Sequence, residues 1–350
     1  MKILVVGNLG YVGPGVVEQL RSTHPSAEII GFDLGLFSHC LTAAAPVAEV
    51  ALNAQHYGDV RDFPTELLDG VEAVINLAAI SNDPMGKEFE SATMQVNHEA
   101  AITLAEQCKA AGVRSYVYAS SCSMYGAASE RPKREGDDLN PLTAYARSKV
   151  AAEKDLAALA TEEFVITCCR FATACGFSSR LRLDLVLNDF VAAACAENKI
   201  TILSDGTPWR PLINVKDMAR ALDWAISRST NAGGQFLAVN TGSDDWNYQV
   251  KELADAVAAA MPGVEVNINT DAAPDKRSYR VDFSLFKSLA PDHQPQYDLT
   301  TTIAELRDGL ARMDFNDTNF RQSQLIRHEV LRRYKSEQAL DNDLRWAQSA

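Results

Sequence analysis

Short unbroken apolar runs alternate along this chain with longer stretches whose apolar residues recur at helical spacing. Ile3-Leu4-Val5-Val6 is continuous, as expected of a parallel strand buried on both faces. A helical pattern through Val16, Val17 and Leu20 follows it. Glu28-Ile29-Ile30-Gly31-Phe32-Asp33 predicts a second strand, and further strands are expected near 48–57, 73–79, 115–119 and 164–170. One long helix is expected over 89–111, and another begins after the turn Asn140-Pro141-Leu142-Thr143. Strands that alternate with helices predict an α/β fold with a Rossmann-type doubly wound parallel sheet. The strand at 164–170 is expected to be its last. Beyond Arg170 the alternation becomes irregular: 171–183 has no clean period, and helical and extended pieces of mixed length follow to about residue 312. This predicts a smaller C-terminal α/β lobe over 171–312, with some elements interleaved into the first domain of residues 1–170. The last segment, 313–350, is polar with helical spacing at Leu325/Ile326, Val330/Leu331 and Leu340/Leu344, and reads as a helical extension packed on the body or on a partner subunit.

Composition narrows the class. The 350 residues carry a net charge of −13 and no basic run, which argues against nucleic acid or a membrane surface as partner. It leaves room for a small anion held by a few local arginines. No apolar run reaches the ~18 residues of a membrane span. The seven cysteines are scattered and odd in number, with no spacing that suggests a metal site, so no metal is expected. The chain enters its glycine turn too early for a signal peptide, and a reducing, cytoplasmic compartment is expected.

The candidate chemistry follows the strand ends. Gly7-x-x-Gly10-Tyr11-Val12-Gly13 lies between strand and helix, where glycines permit a tight turn and let backbone amides approach a pyrophosphate at the helix N-terminus. Asp33 ends the second strand twenty residues after Gly13, the position of a carboxylate for the adenosine ribose. Such a carboxylate repels a 2′-phosphate, which favours NAD over NADP. Asp59-Val60 is expected at the adenine edge, and the small residues of Leu77-Ala78-Ala79 allow backbone to close on the nucleotide. Ser81 belongs to a polar, turn-rich loop that could face a substrate. Asn97 is a polar residue on an apolar helix; it either holds backbone near the site or is simply exposed. Ser120, Ser121, Cys122 and Ser123 sit at a strand's carboxyl end, where open α/β sheets place chemistry. Tyr145 and Lys149 are one helical turn apart on one face. A free phenol has a pKa of about 10, and a neighbouring ammonium and the helix dipole both favour its anion.

In this order and spacing the motifs resemble the extended short-chain dehydrogenase/reductase family, in particular its NAD-dependent sugar-nucleotide epimerases and dehydratases. The resemblance covers about residues 1–290 and rests on the glycine turn, Asp33, Asp59-Val60, Asn76-Leu-Ala-Ala79, Ser120-Ser121-x-x-Met124-Tyr125-Gly126, Tyr145-x-x-x-Lys149, and Arg210 after Asp205-Gly206. It implies that Tyr145 is the base that takes a sugar hydroxyl proton as hydride moves to nicotinamide. Lys149 would bind the nicotinamide ribose and lower the tyrosine pKa. Ser121 would hydrogen-bond the sugar oxygen, with Ser120 and Ser123 as near alternatives. Thr173 stands where many relatives carry an Asn; Asn188 and Arg210 resemble the diphosphate pair, with Arg277 or Arg280 as a further phosphate contact. The resemblance also implies a nucleotide-diphosphate sugar as substrate and a homodimer.

One departure bears on the outcome. The family's 4,6-dehydratases carry an Asp-Glu pair where this chain has Cys122-Ser123. Without those carboxylates dehydration is disfavoured, and Cys122 is either a proton donor or base at a second sugar carbon or a small space-filling residue. The expected function is an NAD-dependent sugar-nucleotide epimerase, most simply at C4. An NADH-dependent keto-sugar-nucleotide reductase is the alternative, a dehydratase less favoured, and a non-catalytic NAD-binding protein least.

Overall fold

A computed structural model describes residues 1–42, 47–126, 131–269 and 277–347. Seven parallel strands form the main sheet: β1 (Lys2–Val6), β2 (Glu28–Asp33), β3 (Ala54–Tyr57), β4 (Ala73–Asn76), β5 (Ser115–Ser121), β6 (Val165–Phe171) and, much later in the chain, Phe236–Thr241. Their spatial order is 3-2-1-4-5-6 followed by that late strand. The order reverses between β1 and β4, so the crevice outside their carboxyl ends is the switch point where such sheets bind ligands.

The continuous apolar run of β1 explains its burial. Ile3 and Val5 face one layer with Val16 and Leu20 of the helix Gly13–Thr23 and Met218 and Leu222 of the helix Val215–Ser227. Leu4 and Val6 face the other with Leu104 of the helix Ala100–Ala110 and Leu156 of the helix Ala144–Leu159. Period-2 alternation thus serves two helical layers at once.

The second lobe begins with β7 (Thr173–Cys175). Next come β8 (Lys199–Ile202) and β9 (Trp209–Asn214). The strand Phe236–Thr241 is β10, and β11 (Asn247–Gln249) and β12 (Glu265–Ile268) complete the set. β7, β9 and β11 form one small sheet, and β8 pairs with β12. Helices Val186–Glu197, Val250–Ala260 and Leu299–Arg312 surround them around Leu187, Leu253 and Leu306.

Three sequence expectations are corrected. The main sheet does not end at β6: β10 pairs with it in parallel, Val239 opposite Cys169. The interleaving is therefore a helix and an edge strand, residues 215–241, returned to the first sheet. The helix expected over 89–111 is broken into Glu90–Met94, a π-helical turn Gln95–Glu99, and Ala100–Ala110. Among the described residues of the extension only Arg327–Ser336 is a full helix; Leu340 and Leu344 belong instead to a tight hairpin in which Leu340 bridges to Trp346.

Gly13 is where the fold leaves no alternative. A Cβ there would lie 1.9 Å from the Asn8 carbonyl oxygen. Gly13→Val is expected to cost about 2–4 kcal/mol or to prevent folding. Gly136→Ala, where a Cβ meets open space, is expected to be near neutral. Denaturant midpoints of the two variants test the contrast.

Candidate active site

A cavity of about 1130 Å³ opens at the carboxyl ends of the central strands and continues into the second lobe. Its floor is the glycine turn. Gly7 has φ +84°, and a Cβ on it would lie 2.6 Å from the Ala78 nitrogen, so only glycine lets the two loops meet. Gly7, Gly10, Tyr11 and Val12 line the cavity; Gly13 does not, and instead packs the helix start against Asn8.

Asp33 lines the cavity where β2 ends. Its carboxylate accepts from the amides of Leu9 (3.0 Å) and Gly35 (2.7 Å), while burial pushes its pKa up against those bonds. Asp59 and Val60 lie beside it on the wall. Burial works to raise the Asp59 carboxyl, but hydrogen bonds and charge from Arg61 outweigh it and hold it below the ordinary range. The Asp59 side chain is therefore committed to Arg61, at 2.5 Å.

Leu77, Ala78 and Ala79 form the opposite wall. The π turn explains Asn97, whose fully buried side chain lies off the cavity. Its amide accepts from Ile80 N (2.8 Å) and donates to Ile80 O (3.0 Å) and Ser148 Oγ (3.1 Å). Asn97 thus holds backbone near the site, one of its two expected readings, and does not itself line the cavity with the cofactor contacts. The extra residue of a π turn is what aims an otherwise helical side chain at a neighbouring loop.

Ser120, Ser121 and Ser123 line the cavity at the end of β5, together with Tyr145 and Lys149. Ser120 donates to Glu153 at 2.5 Å, and Glu153 in turn holds Arg170. Ser121 caps the short turn Cys122–Tyr125 and donates to Ser123 Oγ at 3.0 Å. Cys122 points the other way. Its Sγ donates to the Arg170 carbonyl at 3.0 Å, it is 1% exposed, and burial pushes its thiol pKa up. The short turn that follows β5 faces it inward, off the cavity, so a role as acid or base at the sugar is corrected to packing.

Thr143 caps the helix Ala144–Leu159, accepting from Ala146 N, and Tyr145 sits in the first turn as expected. Lys149 Nζ donates to the Ala119 carbonyl at 2.7 Å and lies 4.3 Å from the Tyr118 ring centroid and 5.7 Å from that of Tyr145. Burial lowers its pKa to about 7. Burial raises the Tyr145 pKa, against a hydrogen bond from Ser121 and the charge of Arg182. In the protein alone, then, the groups that favour the phenolate are Ser121 and Arg182, because the ammonium expected to do so is itself close to neutrality.

On the substrate side Ser81, Thr173, Arg210 and Arg277 line the cavity. Arg210 donates to the carbonyls of Trp209 (2.9 Å) and Arg277, and Arg277 pairs with Asp83. Arg280 stacks on Trp209 at 5.1 Å and lies off the cavity, whereas Arg277 lines it. Asn188 is corrected as well. It is fully buried off the cavity, accepting from Gly176 N (3.0 Å) and donating to Arg182 O (2.8 Å) and Tyr11 OH (3.1 Å). It joins the glycine turn to the second lobe.

Sequence reasoning missed Arg182 and Asp184, both on the cavity. They form a buried pair at 2.8 Å; Arg182 also donates to Ser81 Oγ (2.7 Å), and Asn82 donates to Asp184 (2.8 Å). The signal was two opposite charges two apart within Leu181-Arg182-Leu183-Asp184-Leu185, since charges inside an apolar run are buried only when paired. Among the described residues no cluster of His, Cys, Asp or Glu is placed to hold a metal ion, and no helix is long and apolar enough to cross a membrane.

A doubly wound sheet with a glycine cradle, a ribose-height carboxylate and a Ser-Tyr-Lys set on one cavity defines a nicotinamide-dinucleotide enzyme of the short-chain dehydrogenase/reductase type. The chain belongs to the NAD dependent epimerase/dehydratase family, whose description matches residues 3–242. It is 27% identical to a UDP-glucose 4-epimerase of Mycolicibacterium smegmatis, over 87% of this chain and 97% of that protein. Among solved structures it is similar to MoeE5 in complex with UDP-glucose and NAD, at 25% identity and a TM-score of 0.73, covering 89% of this chain and 99% of that one. The UDP-glucuronic acid 4-epimerase of Bacillus cereus shares the fold at 20% identity and a TM-score of 0.75, over 89% of this chain and 100% of its own. NAD is the coenzyme, and the residues present fit it: a Cβ at Gly7 would fill the cradle, and the Asp33 carboxylate lines the same cavity at the end of β2.

The buried ammonium makes a thermodynamic prediction. The folded pKa of Lys149, about 7, lies below its ordinary 10.5, so between those values the unfolded chain binds more protons and stability rises with pH. The penalty is full below pH 7 and fades toward pH 10.5. Lys149→Met is expected to raise Tm by a few degrees at pH 6.5, with the gain shrinking at pH 9.5. Melting scans at the two pH values check this; a gain that grows with pH would contradict it.

Proposed function

We propose that the protein is an NAD-dependent sugar-nucleotide epimerase, most simply at C4, acting through a transient keto-sugar. The observation that carries the reading is that Ser121, Tyr145 and Lys149 share one cavity with the coenzyme cradle, while the turn after Ser121 offers Ser123 and no carboxylate. NAD, when bound along the glycine turn, would serve as hydride acceptor for the sugar and as donor to the ketone. Tyr145 takes the proton from the sugar hydroxyl as it is oxidised and gives it back on reduction. Ser121 donates to the sugar oxygen, where charge develops in both directions. Lys149, 5.7 Å from the Tyr145 ring centroid, would hold the nicotinamide ribose and act on the phenolate. Arg210 and Arg277 are the diphosphate contacts, suited to it by their forked donors. Thr173 and Ser81 complete the sugar end, the latter oriented by Arg182. No net redox results, because the ketone turns within the cavity and is reduced on its other face. Free cysteines, six of them buried, support a reducing cytoplasmic location. A homodimer is part of the same reading and rests on the family.

Tyr145→Phe is expected to lower kcat by about 100- to 10,000-fold while leaving NAD affinity nearly unchanged. Surviving activity would remove Tyr145 from the reaction. Asp33→Ala is expected to weaken NAD binding about tenfold and to narrow the preference over NADP; an unchanged preference would remove Asp33 from the ribose. A panel of nucleotide sugars followed by NMR tests the outcome. An isomer formed without NADH consumption supports the epimerase. NADH consumption points to a reductase instead, and a 4-keto-6-deoxy product to a dehydratase.

A further inference from the structure

The C-terminal extension lies across the coenzyme end of the cavity and contributes to its lining. Arg321, Arg327, Leu331 and Leu344 all face it. Arg327 is the unusual member. It is 1% exposed, and among the described residues its guanidinium donates to carbonyls alone: Gln324 (2.9 Å), Arg180 (2.8 Å) and Leu181 (3.1 Å). It stacks on Phe37 at 5.2 Å, in the loop that follows Asp33. Burial pulls even its pKa down, to about 10, with Arg182 and Arg180 adding to the effect and the charge of nearby Asp184 opposing it. A buried cation is costly unless an anion meets it.

Its position says which anion. The 178–181 segment that it grips is tied to the glycine turn, because Ser178 Oγ donates to the Tyr11 carbonyl at 2.8 Å. The segment that Arg327 grips is thus joined to the turn whose amides suit a diphosphate, and Arg327 and that turn line one cavity.

The hairpin that follows the helix is fastened to the adenosine end. Trp346 Nε1 donates to the Leu34 carbonyl at 3.0 Å. Arg345 pairs with Asp62 and lies 3.6 Å from Asp59. Arg61 donates to the Asp343 carbonyl at 2.7 Å, and the Asp343 carboxylate accepts from Ser91 and Gln95. Between these anchors Leu344 is held at φ +57°, a strained conformation for a leucine, with its side chain packed beside Ile80, Met85 and Leu331. Strain of this kind persists where surrounding structure over-determines it, and it concentrates at ligand clamps.

We propose that the extension is the outer wall of the coenzyme site, with Arg327 as the cation that meets the coenzyme's diphosphate and Leu344 covering its adenosine half. The inference rests on the coenzyme lying along the glycine turn and Asp33, and not on which sugar reaction follows.

Calorimetric titration of the full-length protein with NAD, ADP-ribose and adenosine tests it. Arg327→Met is expected to weaken NAD and ADP-ribose by about ten- to a hundredfold and to leave adenosine unchanged. Leu344→Ala is expected to weaken all three. A role for Arg327 in loop packing alone would leave the ratio of ADP-ribose to adenosine affinity as in the wild type, and that result overturns the proposal. So does Leu344→Ala with unchanged affinities. If Arg327→Met fails to fold, Arg327→Lys decides: a selective loss on ADP-ribose supports the assignment, and no selective loss overturns it. Wild-type protein that binds none of the three would instead overturn the coenzyme reading itself.

Discussion

One ammonium held out of water sets the terms for the reacting end of this molecule. Lys149 is wedged between the Tyr118 ring and the Ala119 carbonyl, one helical turn from Tyr145 and one from Glu153. The three share a helix face, so the same register that aims the phenol into the cavity puts a carboxylate behind the lysine. Glu153 then ties the helix to two strands, through Ser120 on β5 and Arg170 on β6. Breaking one partner of a buried pair such as Glu153–Arg170 typically costs about 3–5 kcal/mol, far more than a surface pair. The acid–base residues are positioned by these polar ties as much as by the sheet, which is what preorganised catalysis requires.

Much of this was legible along the chain because the physics is local. A glycine turn between a continuous apolar strand and a helix, an acid at the next strand end, and a Tyr-Lys pair at helical spacing each depend on residues near one another in sequence. The structure brings those residues to one cavity. What could not be read depends on partners far away. β10 is an ordinary strand by its residues, and only its pairing with β6 assigns it to the main sheet. Arg182 and Asp184 are visible as charges in an apolar run, but that they face a cavity is a property of the folded lobe.

The corrected residues fail for the same reason in reverse. Asn188 is a good phosphate ligand by type, yet its amide is spent on Tyr11, Gly176 and Arg182. Cys122 stands in a row of small polar residues, yet the short turn after β5 faces it to the interior while its neighbours face the cavity. Residue type names what a side chain can do; burial and competing partners decide whether it is available to do it.

The return of residues 215–241 to the first sheet bears on how such a protein can change. The chain leaves the coenzyme half at β6, enters the other lobe, comes back for a helix and an edge strand, and departs again. Neither half is a contiguous cassette. Recombination at a single breakpoint would strand β10 and its helix away from Val16, Leu20 and Cys169, opening the core of one parent while importing the lobe of another. New specificities on this scaffold are therefore reached by altering loops in place, and chimaeras need at least two crossovers to keep one sheet whole.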